Sequence, residues 1–474
     1  MSARQSDNDL PPANESFAGE ESYSLKDGIV EEVSDALAAD EPHRVKQILE
    51  PLHYSDVADL LERLTPEDRD ALVEIIKRDF DPEILHELDE ELRDDIVKKL
   101  GLKNVAAAVS EMDSDDAVSV FEELADSEQK QLLAAIPAED RAVIRDALTY
   151  PEDSAGRLMQ RELVVVPPTW TVGETIDFMR RTADDELEDL PEVFYDIFVV
   201  SGEGKPLGAI PLSRLLRSRR QMSVTEIMEP EMQLIPATTD QEEVAFLFRQ
   251  RDLVSAPVVD EAGRLVGAIT VDDVVDVIQE EHEEDFLRFG GVAGSDLHAP
   301  PMETAWRRSH WLFVTLINNI IAATVISRFE ATIEQMVALA VLMPMVAAMG
   351  GNAGTQVVTV VIRGLATKEL SPGNIARVAV KEIGVGVLNG VGFALIAGLL
   401  AAFWFENAAL GAVLGGALVF NMIWAGFAGT VIPMALVRFR IDPAIAAGPF
   451  LTTTTDVLGF FCFLGLATHF LLGG

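Results

Sequence analysis

The chain has 474 residues, with 78 Asp/Glu against 37 Lys/Arg, a formal net charge of −41 and a single cysteine. One thiol excludes an intrachain disulfide, and this acid excess argues against a nucleic-acid-binding protein, because such a surface repels polyanions and gathers cations. Residues 311–474 carry seven Lys/Arg and seven Asp/Glu, so the whole net charge falls on residues 1–310, as expected for a soluble acidic part joined to a membrane part.

Residues 1–24 hold no apolar h-region and read as a disordered acidic leader rather than a cleaved signal peptide. Residues 25–150 are helical in pattern and carry an internal repeat: DVADLLERL at 56–64 returns as DAVSVFEEL at 116–124, and Leu72 is matched by Leu132. Leu60, Leu61 and Leu64, like Val120, Phe121 and Leu124, fall at i, i+1, i+4 and form apolar stripes. Thr65-Pro66-Glu67-Asp68 is a helix start, with a hydroxyl cap, proline at the first helical position and acids in the first turn. Repeated helix–turn units predict a stacked α-helical superhelix.

A second repeat, of mixed α/β type, follows. LMQRELVVVPPTWTVGETIDFMRR parallels IMEPEMQLIPATTDQEEVAFLFRQ, and IFVVSGEGKPLGAIPLSRLL parallels SAPVVDEAGRLVGAITVDDVV. Each copy reads strand, helix, strand, Gly turn, strand, helix, and the first carries extra residues around 188–197. The pattern resembles a tandem pair of cystathionine-β-synthase (CBS) domains, at 151–222 and 223–276. That resemblance implies a regulatory module, and many such pairs bind adenine nucleotides through a Thr/Ser-x-x-Asp after the GxI strand. Thr270 and Asp273 satisfy that pattern, whereas the first copy has Pro211 and Arg214. A helix cap with a first-turn acid accounts for Thr270 and Asp273 equally well.

Residues 277–305 form a connecting segment. The run VDDVVDVIQEEHEEDFLRFG has an apolar stripe of Val271, Val274, Val275 and Ile278, loosely continued by Phe286 and Phe289, among acids. It is read as an amphipathic helix that joins the regulatory pair to the membrane.

Residues 306–474 contain five apolar spans, near 311–327, 337–362, 383–405, 410–437 and 446–472. Basic residues sort the loops. Arg307 and Arg308 precede the first span, Arg363, Lys368, Arg377 and Lys381 lie between the second and third, and Arg438 and Arg440 lie between the fourth and fifth; the other two loops hold only Arg328. The positive-inside rule then puts the acidic part in the cytosol and the C-terminus outside.

Three polar constellations lie within the spans. MPMVAAMGGNAGTQ brings Pro344, Gly350, Gly351, Asn352, Gly354 and Gln356 into the second. Glu382 and Asn389 lie in the third, and Gly448-Pro449 followed by Thr452–Thr455 leads to Asp456 in the fifth. Asp456 is the only carboxylate in 443–474, and an ionisable residue at membrane depth is a functional-site hypothesis. Every candidate ligand is a hard oxygen and no His/Cys cluster occurs, which favours Mg²⁺, Ca²⁺ or Mn²⁺ over zinc or copper. One carboxylate among hydroxyls and carbonyls suits a partly hydrated Mg²⁺ better than a caged Ca²⁺. Five spans are few for a one-chain pore. Glycines in the third span (384, 386, 390, 392, 398) and fourth (411, 415, 416) allow close helix contact, and a symmetric dimer would bring two copies of each motif to one axis.

The motifs YPEDSAGRLM, TVDDVVDV, GGNAGTQ, IRGLAT and DPAIAAGPFLTTTTDVLG make the chain resemble the MgtE family of magnesium transporters over nearly its whole length. The resemblance implies a homodimeric, Mg²⁺-selective, multi-pass channel of the inner membrane. Its pore cation site would match Asp456 and Asn352. Its cytosolic Mg²⁺-sensing acids would match Asp240, Glu242, Asp252, Asp273, Asp276, Glu281, Glu284 and Asp285, with Asp442 at the cytoplasmic mouth and either Asp115 or Asp116 in the helical domain. A second helical-domain acid expected one turn later is Ser119 here. Mg²⁺ would be substrate and regulator, with ATP at Thr270 and Asp273 as an additional regulator. The rival readings are a proton-coupled or broader divalent-cation (Co²⁺, Mn²⁺) carrier, a CBS-gated anion channel, and a CBS-regulated membrane sensor without transport. No nucleophile–base pair, P-loop or metalloprotease motif supports an enzyme.

Overall fold

The computed structural model describes residues 25, 27–122, 124, 126–182, 190–191, 193–292, 300–371 and 373–473. The acidic leader at 1–24, residues 188, 189 and 192 of the insertion around 188–197, and residues 293–299 of the connecting segment lie outside the described residues. The chain divides into two compact units, Met1–Val274 and Val275–Gly474.

In the first unit, short helices from Asp27–Ala38 to Ala138–Ala147 stack as the superhelical repeat predicts. Leu60, Leu61, Leu64, Leu72, Val120, Phe121, Leu124 and Leu132 are all buried in one core, so the sixty-residue echo in the sequence is an echo in packing. Thr65 caps the Pro66–Ile76 helix, its Oγ1 accepting from the Asp68 amide at 3.3 Å.

The two CBS units repeat each other in register. In the first, β1 (Val165–Val166) pairs parallel with β2 (Asp196–Val200), which pairs antiparallel with β3 (Pro206–Pro211). In the second, β4 (Ile235–Pro236), β5 (Ser255–Val259) and β6 (Leu265–Thr270) repeat that order. Asp196 faces Pro211 across one sheet as Ser255 faces Thr270 across the other. The turns entering β3 and β6 hold Gly204 and Gly263 at φ +81° and +75°, a region side chains avoid.

YPEDSAGRLM is the joint between the helical and CBS parts. A Cβ at Gly156 would fall on the Tyr150 ring at 2.7 Å from Cδ2, so only glycine lets that ring lie flat on the turn. Arg157 donates to the Tyr150 carbonyl at 3.0 Å and pairs with Glu122 at the end of the Ser114–Glu122 helix.

One helix, Val271–Phe289, runs unbroken through residues 276 and 277. Val274 and Val277 are its buried positions, and Val275 and Phe286 are exposed. Of the expected set Val271, Val274, Val275 and Ile278, Val274 is buried, Val271 and Ile278 are half-buried and Val275 is exposed, and Val277 takes the second buried place, because periodicity marks which residues are apolar and packing decides which are covered.

Among the described residues, the second unit holds five helices long and apolar enough to cross a membrane: Pro301–Ser327, Ala338–Ala366, Ile375–Trp404, Ala408–Arg438 and a fifth, Pro443–Leu471. The first extends back from the apolar run near 311–327 through Trp306, because Pro301 starts the helix. A short helix, Glu330–Gln335, fills the loop after it. The third and fourth spans pack backbone to backbone. A Cβ on Gly386 would lie 2.5 Å from the Met422 carbonyl oxygen, one on Gly390 3.1 Å from Val419 Cα, one on Gly398 2.8 Å from the Gly411 carbonyl oxygen, and one on Gly426 2.6 Å from the Glu382 carbonyl oxygen. Gly384 and Gly392 have open space instead, so they sit outside this seam.

Candidate cation path and acidic surfaces

The second span is amphipathic in an unusual sense. Gly350, Gly354, Val357, Val358 and Val361 are buried, whereas Asn352, Thr355, Gln356, Thr359 and Arg363 are not. The latter fall at i, i+3, i+4, i+7 and i+11, one stripe of a helix. Thr355 and Thr359 donate their hydroxyls back to the Gly351 and Thr355 carbonyls at 3.0 and 2.9 Å. Their oxygens therefore keep lone pairs directed outward, next to the amides of Asn352 and Gln356.

The fifth span repeats this chemistry. Pro449 lies inside its second turn, and the Pro449 carbonyl gathers side chains: Asn318 Nδ2 donates to it at 3.3 Å, as do the Thr452 and Thr453 hydroxyls at 3.1 and 2.7 Å. Thr454 and Thr455 donate to the Leu451 carbonyl. One helical turn after Thr452 comes Asp456, half-buried, with no hydrogen-bond donor or cationic side chain against its carboxylate among the described residues.

Spans two, four and five are keyed together by Asn421. This fully buried amide donates to the Val346 carbonyl at 3.0 Å, and Gly350 and Gly459 supply the space around it. Interhelical hydrogen bonding is the role expected of a lone asparagine in a span, and the geometry of Asn421 is that of a wedge rather than a cation ligand. Asn389, of which the same is expected, is exposed on the third span. Two further glycines complete the three-helix junction, Gly354 against Leu451 and Gly429 against Val357.

Acids meet at one place in each of the two units. In the first unit, the start of the Ser114–Glu122 helix docks on the CBS pair: Ser114 Oγ donates to Glu162 at 2.8 Å, Gln160 Nε2 donates to Asp113 at 2.8 Å, and the Arg161 amide donates to Ser114 Oγ at 2.9 Å. This docking brings Asp115 beside Asp273. Burial, then the charge of Asp273, then that of Asp116, hold the Asp115 carboxyl well above its ordinary range. Asp116 instead turns toward His86, at 3.7 Å, inside the helical part. Of the two candidates, Asp115 is therefore the acid that meets the CBS pair. Ser119, one turn on, adds no carboxylate.

Thr270 and Asp273 are bound to each other. Asp273 Oδ2 accepts from the Thr270 amide at 3.2 Å and its hydroxyl at 2.7 Å, as in a helix cap. Asp115 stands alongside, so two carboxylates and the Thr270 hydroxyl share this end of the Val271–Phe289 helix. At the quasi-equivalent first-copy position Arg214 is paired with Glu229 at 2.6 Å. The neighbouring cleft, about 440 Å³, is lined by Asp196, Glu229, Glu231 and Asp252 among aromatic residues. Ser255 crosses from the second copy to donate to Asp196 at 2.5 Å.

In the second unit, Asp442 caps the fifth span, its Oδ1 accepting from the Ala444 amide at 2.7 Å. Asp285 lies near it: burial first, then Asp442 and Glu281, raise the Asp285 carboxyl above the usual range. Arg288 donates from Nη1 to Asp442 Oδ2 at 3.1 Å and pairs with Glu284 through Nη2. Asp240 is used as the cap of the Gln241–Arg251 helix, Glu242 sits in that helix's first turn, and Asp252 ends it in a left-handed conformation. Asp276 is exposed. No group of three or more His, Cys, Asp or Glu placed to hold a metal occurs among the described residues. The acids thus meet in pairs within one protomer rather than in closed cages.

Five apolar helices with an uncovered oxygen-rich stripe and a carboxylate unpaired among the described residues, carried with an acidic helical and CBS part, define a multi-pass cation transporter. Residues 343–466 match the MgtE family, described as divalent cation transporters, residues 52–153 match the MgtE intracellular N domain, and residues 155–220 and 224–280 match CBS domains. The chain is 32% identical over 450 residues to the magnesium transporter MgtE of Thermus thermophilus, spanning 94% of this chain and 98% of that one. It is 31% identical over 428 residues to that of Bacillus subtilis, spanning 90% and 94%. The chain belongs to the MgtE family of magnesium transporters, a family of transporters and not of enzymes, with an intracellular N domain. Among solved structures, the cytosolic domain of the Mg²⁺ channel MgtE in complex with ATP is 32% identical with a TM-score of 0.48, covering 52% of this chain and 99% of that one.

Proposed function

We propose that the chain is a Mg²⁺ channel of the inner membrane, working as a homodimer with its C-terminus outside, and that cytosolic Mg²⁺ closes it by bridging facing carboxylates. The observation that carries this reading is the uncovered stripe Asn352, Thr355, Gln356 and Thr359, together with Asp456, within apolar spans. Amides and a carboxylate facing lipid would cost several kcal/mol, roughly 2.5–3.5 kcal/mol for the acid alone on insertion scales. A second copy about a two-fold axis would turn the stripe from lipid toward a shared aqueous path. Outward lone pairs and a carboxylate there offer hard-oxygen coordination to a hydrated Mg²⁺.

Asp115–Asp273 and Asp285–Asp442 supply the gate. Their like charges oppose docking until a cation neutralises them. The remaining acids, Asp240, Glu242, Asp252, Asp276, Glu281 and Glu284, extend the same sensing surface in this reading. Moving a two-state gate from mostly open to mostly closed takes about 5.5 kcal/mol of differential binding, which several weak sites provide more readily than one. The combined variant Asp276→Asn, Glu281→Gln, Glu284→Gln is accordingly expected to conduct normally while its half-closing Mg²⁺ concentration rises at least about tenfold. Patch recordings of the full chain with graded cytosolic Mg²⁺ test this, and equal block in variant and parent counts against the gate. A carrier mechanism would appear in the same membranes as uptake that follows the pH gradient.

The raised Asp115 carboxyl adds a proton linkage. Between its ordinary and its raised value, the docked, Mg²⁺-free form holds a proton that the undocked form releases. Docking without metal is therefore favoured at low pH and lost as pH rises through the raised value, and Mg²⁺ restores it by replacing the proton. Calorimetric titration of the full-length protein in buffers of different ionisation heat should show protons released with Mg²⁺ binding. The release should shrink in Asp115→Asn, and an unchanged release would separate Asp115 from the metal.

A further inference from the structure

The connecting helix ends in a cation of its own. Arg288 stands four residues after Glu284 on the Val271–Phe289 helix, so the two share one face. Its guanidinium reaches both ways, one amino group to Glu284 on its own helix and the other to Asp442 Oδ2 at 3.1 Å, at the cap of the fifth span. Asp442 cannot turn away freely, because its other oxygen is engaged by the Ala444 amide. Asp285 lies close to Asp442 and to Glu281 and His282, so the guanidinium touches two carboxylates, one of which faces a third. The planar fork of arginine suits this position. It joins two carboxylates at once, stays charged at any working pH, and gives up its water more readily than an ammonium or a divalent ion.

We infer that Arg288 is a built-in counter-cation that bridges Glu284 and Asp442 in place of a divalent ion, and so sets how much Mg²⁺ is needed to hold the connecting helix at the mouth of the fifth span. The inference rests on the proposed Mg²⁺-operated gate and names a positioning residue within it. A tethered charge is present at every Mg²⁺ concentration, so it neutralises part of the acid cluster before any ion arrives. Fewer Mg²⁺ ions then complete closure, and the gate responds at lower Mg²⁺ than the carboxylates alone would allow. Ion pairs this open to solvent are screened by salt, so the bias is graded rather than absolute.

The test is a Mg²⁺ titration of channel closure in the full chain for the parent, Arg288→Gln and Arg288→Lys. Loss of the charge should raise the half-closing Mg²⁺ several-fold and steepen the response, because a further ion must take the guanidinium's place, while saturating Mg²⁺ still closes the gate completely. Lysine, which keeps the charge but not the fork, should fall between. An unchanged midpoint in Arg288→Gln overturns the inference. So does closure that stays incomplete at saturating Mg²⁺, since that marks Arg288 as a structural strut which no ion can replace. If the parent itself does not close with Mg²⁺, the gate is wrong and the inference falls with it; a parent that closes normally isolates the contribution of Arg288.

Discussion

Replacing Asp456 with alanine is expected to abolish Mg²⁺ flux while leaving the protein folded and inserted. The carboxylate has no protein partner among the described residues, so its removal breaks no hydrogen bond or ion pair and lifts a desolvation cost from the fifth span. For a cation passing at about 4 Å, one carboxylate contributes about 4 kcal/mol per unit of ionic charge at an effective dielectric near 20. Even a fraction of that sum, doubled for a divalent ion, corresponds to a loss of at least about a hundredfold in occupancy, since each 1.4 kcal/mol is a factor of ten. Uptake into liposomes by purified protein is the measurement, parent against Asp456→Ala, with Ca²⁺, Mn²⁺ and Co²⁺ as competitors. Retained Mg²⁺ flux in the variant would remove the proposed path, and equal competition by the other ions would recast the chain as a broad divalent-cation transporter.

The second large effect concerns folding. Gly386→Val is expected to prevent assembly of the membrane part. The atoms its Cβ would meet are backbone: the Met422 carbonyl oxygen at 2.5 Å, its carbon at 3.1 Å and Ile423 Cα at 3.3 Å. No rotamer change relieves such an overlap, so the third and fourth spans must separate along their whole seam, forfeiting contacts near Gly390, Gly398 and Gly426 together. Overpacking of cores costs typically 1–3 kcal/mol, and a backbone obstacle puts this case at about 3 kcal/mol or above. Gly392→Ala, six residues on in the same helix but facing open space, is the matched control. Thermal stability in detergent, followed by size-exclusion chromatography, should fall sharply for the first and little for the second. Similar profiles for both would mean that the seam is not what holds these helices.

Much of this architecture was legible in residue order. A superhelix, a tandem α/β pair and five spans follow from periodicity, turn residues and apolar run length, which are local properties of the chain. Asp456 was legible for the same reason: a lone carboxylate in an apolar segment needs no neighbours to be conspicuous. The stripe through Asn352 was half legible, since Asn352 and Gln356 are one turn apart, but its exposure depends on which face Gly350 and Gly354 bury against the other spans. Asn421 is legible only as a polar residue in a span, and its role as a wedge depends on the two glycines, at 350 and 459, that close around it.

The acids divide differently. Charge along residues 271–290 announces an acidic helix, but it cannot say which carboxylates meet. Asp115 and Asp116 are adjacent in the chain, and only the docking of Ser114 on Glu162 turns the first toward Asp273 and leaves the second beside His86. Arg288 reads in sequence as one base among acids and becomes a bridge because Asp442, 154 positions later, caps a helix within its reach. Propensity, hydropathy and charge density act through bonds and near neighbours and are written along the chain. Electrostatic partnership falls off with distance in space, and space between distant residues is settled by the packing of helices and sheets.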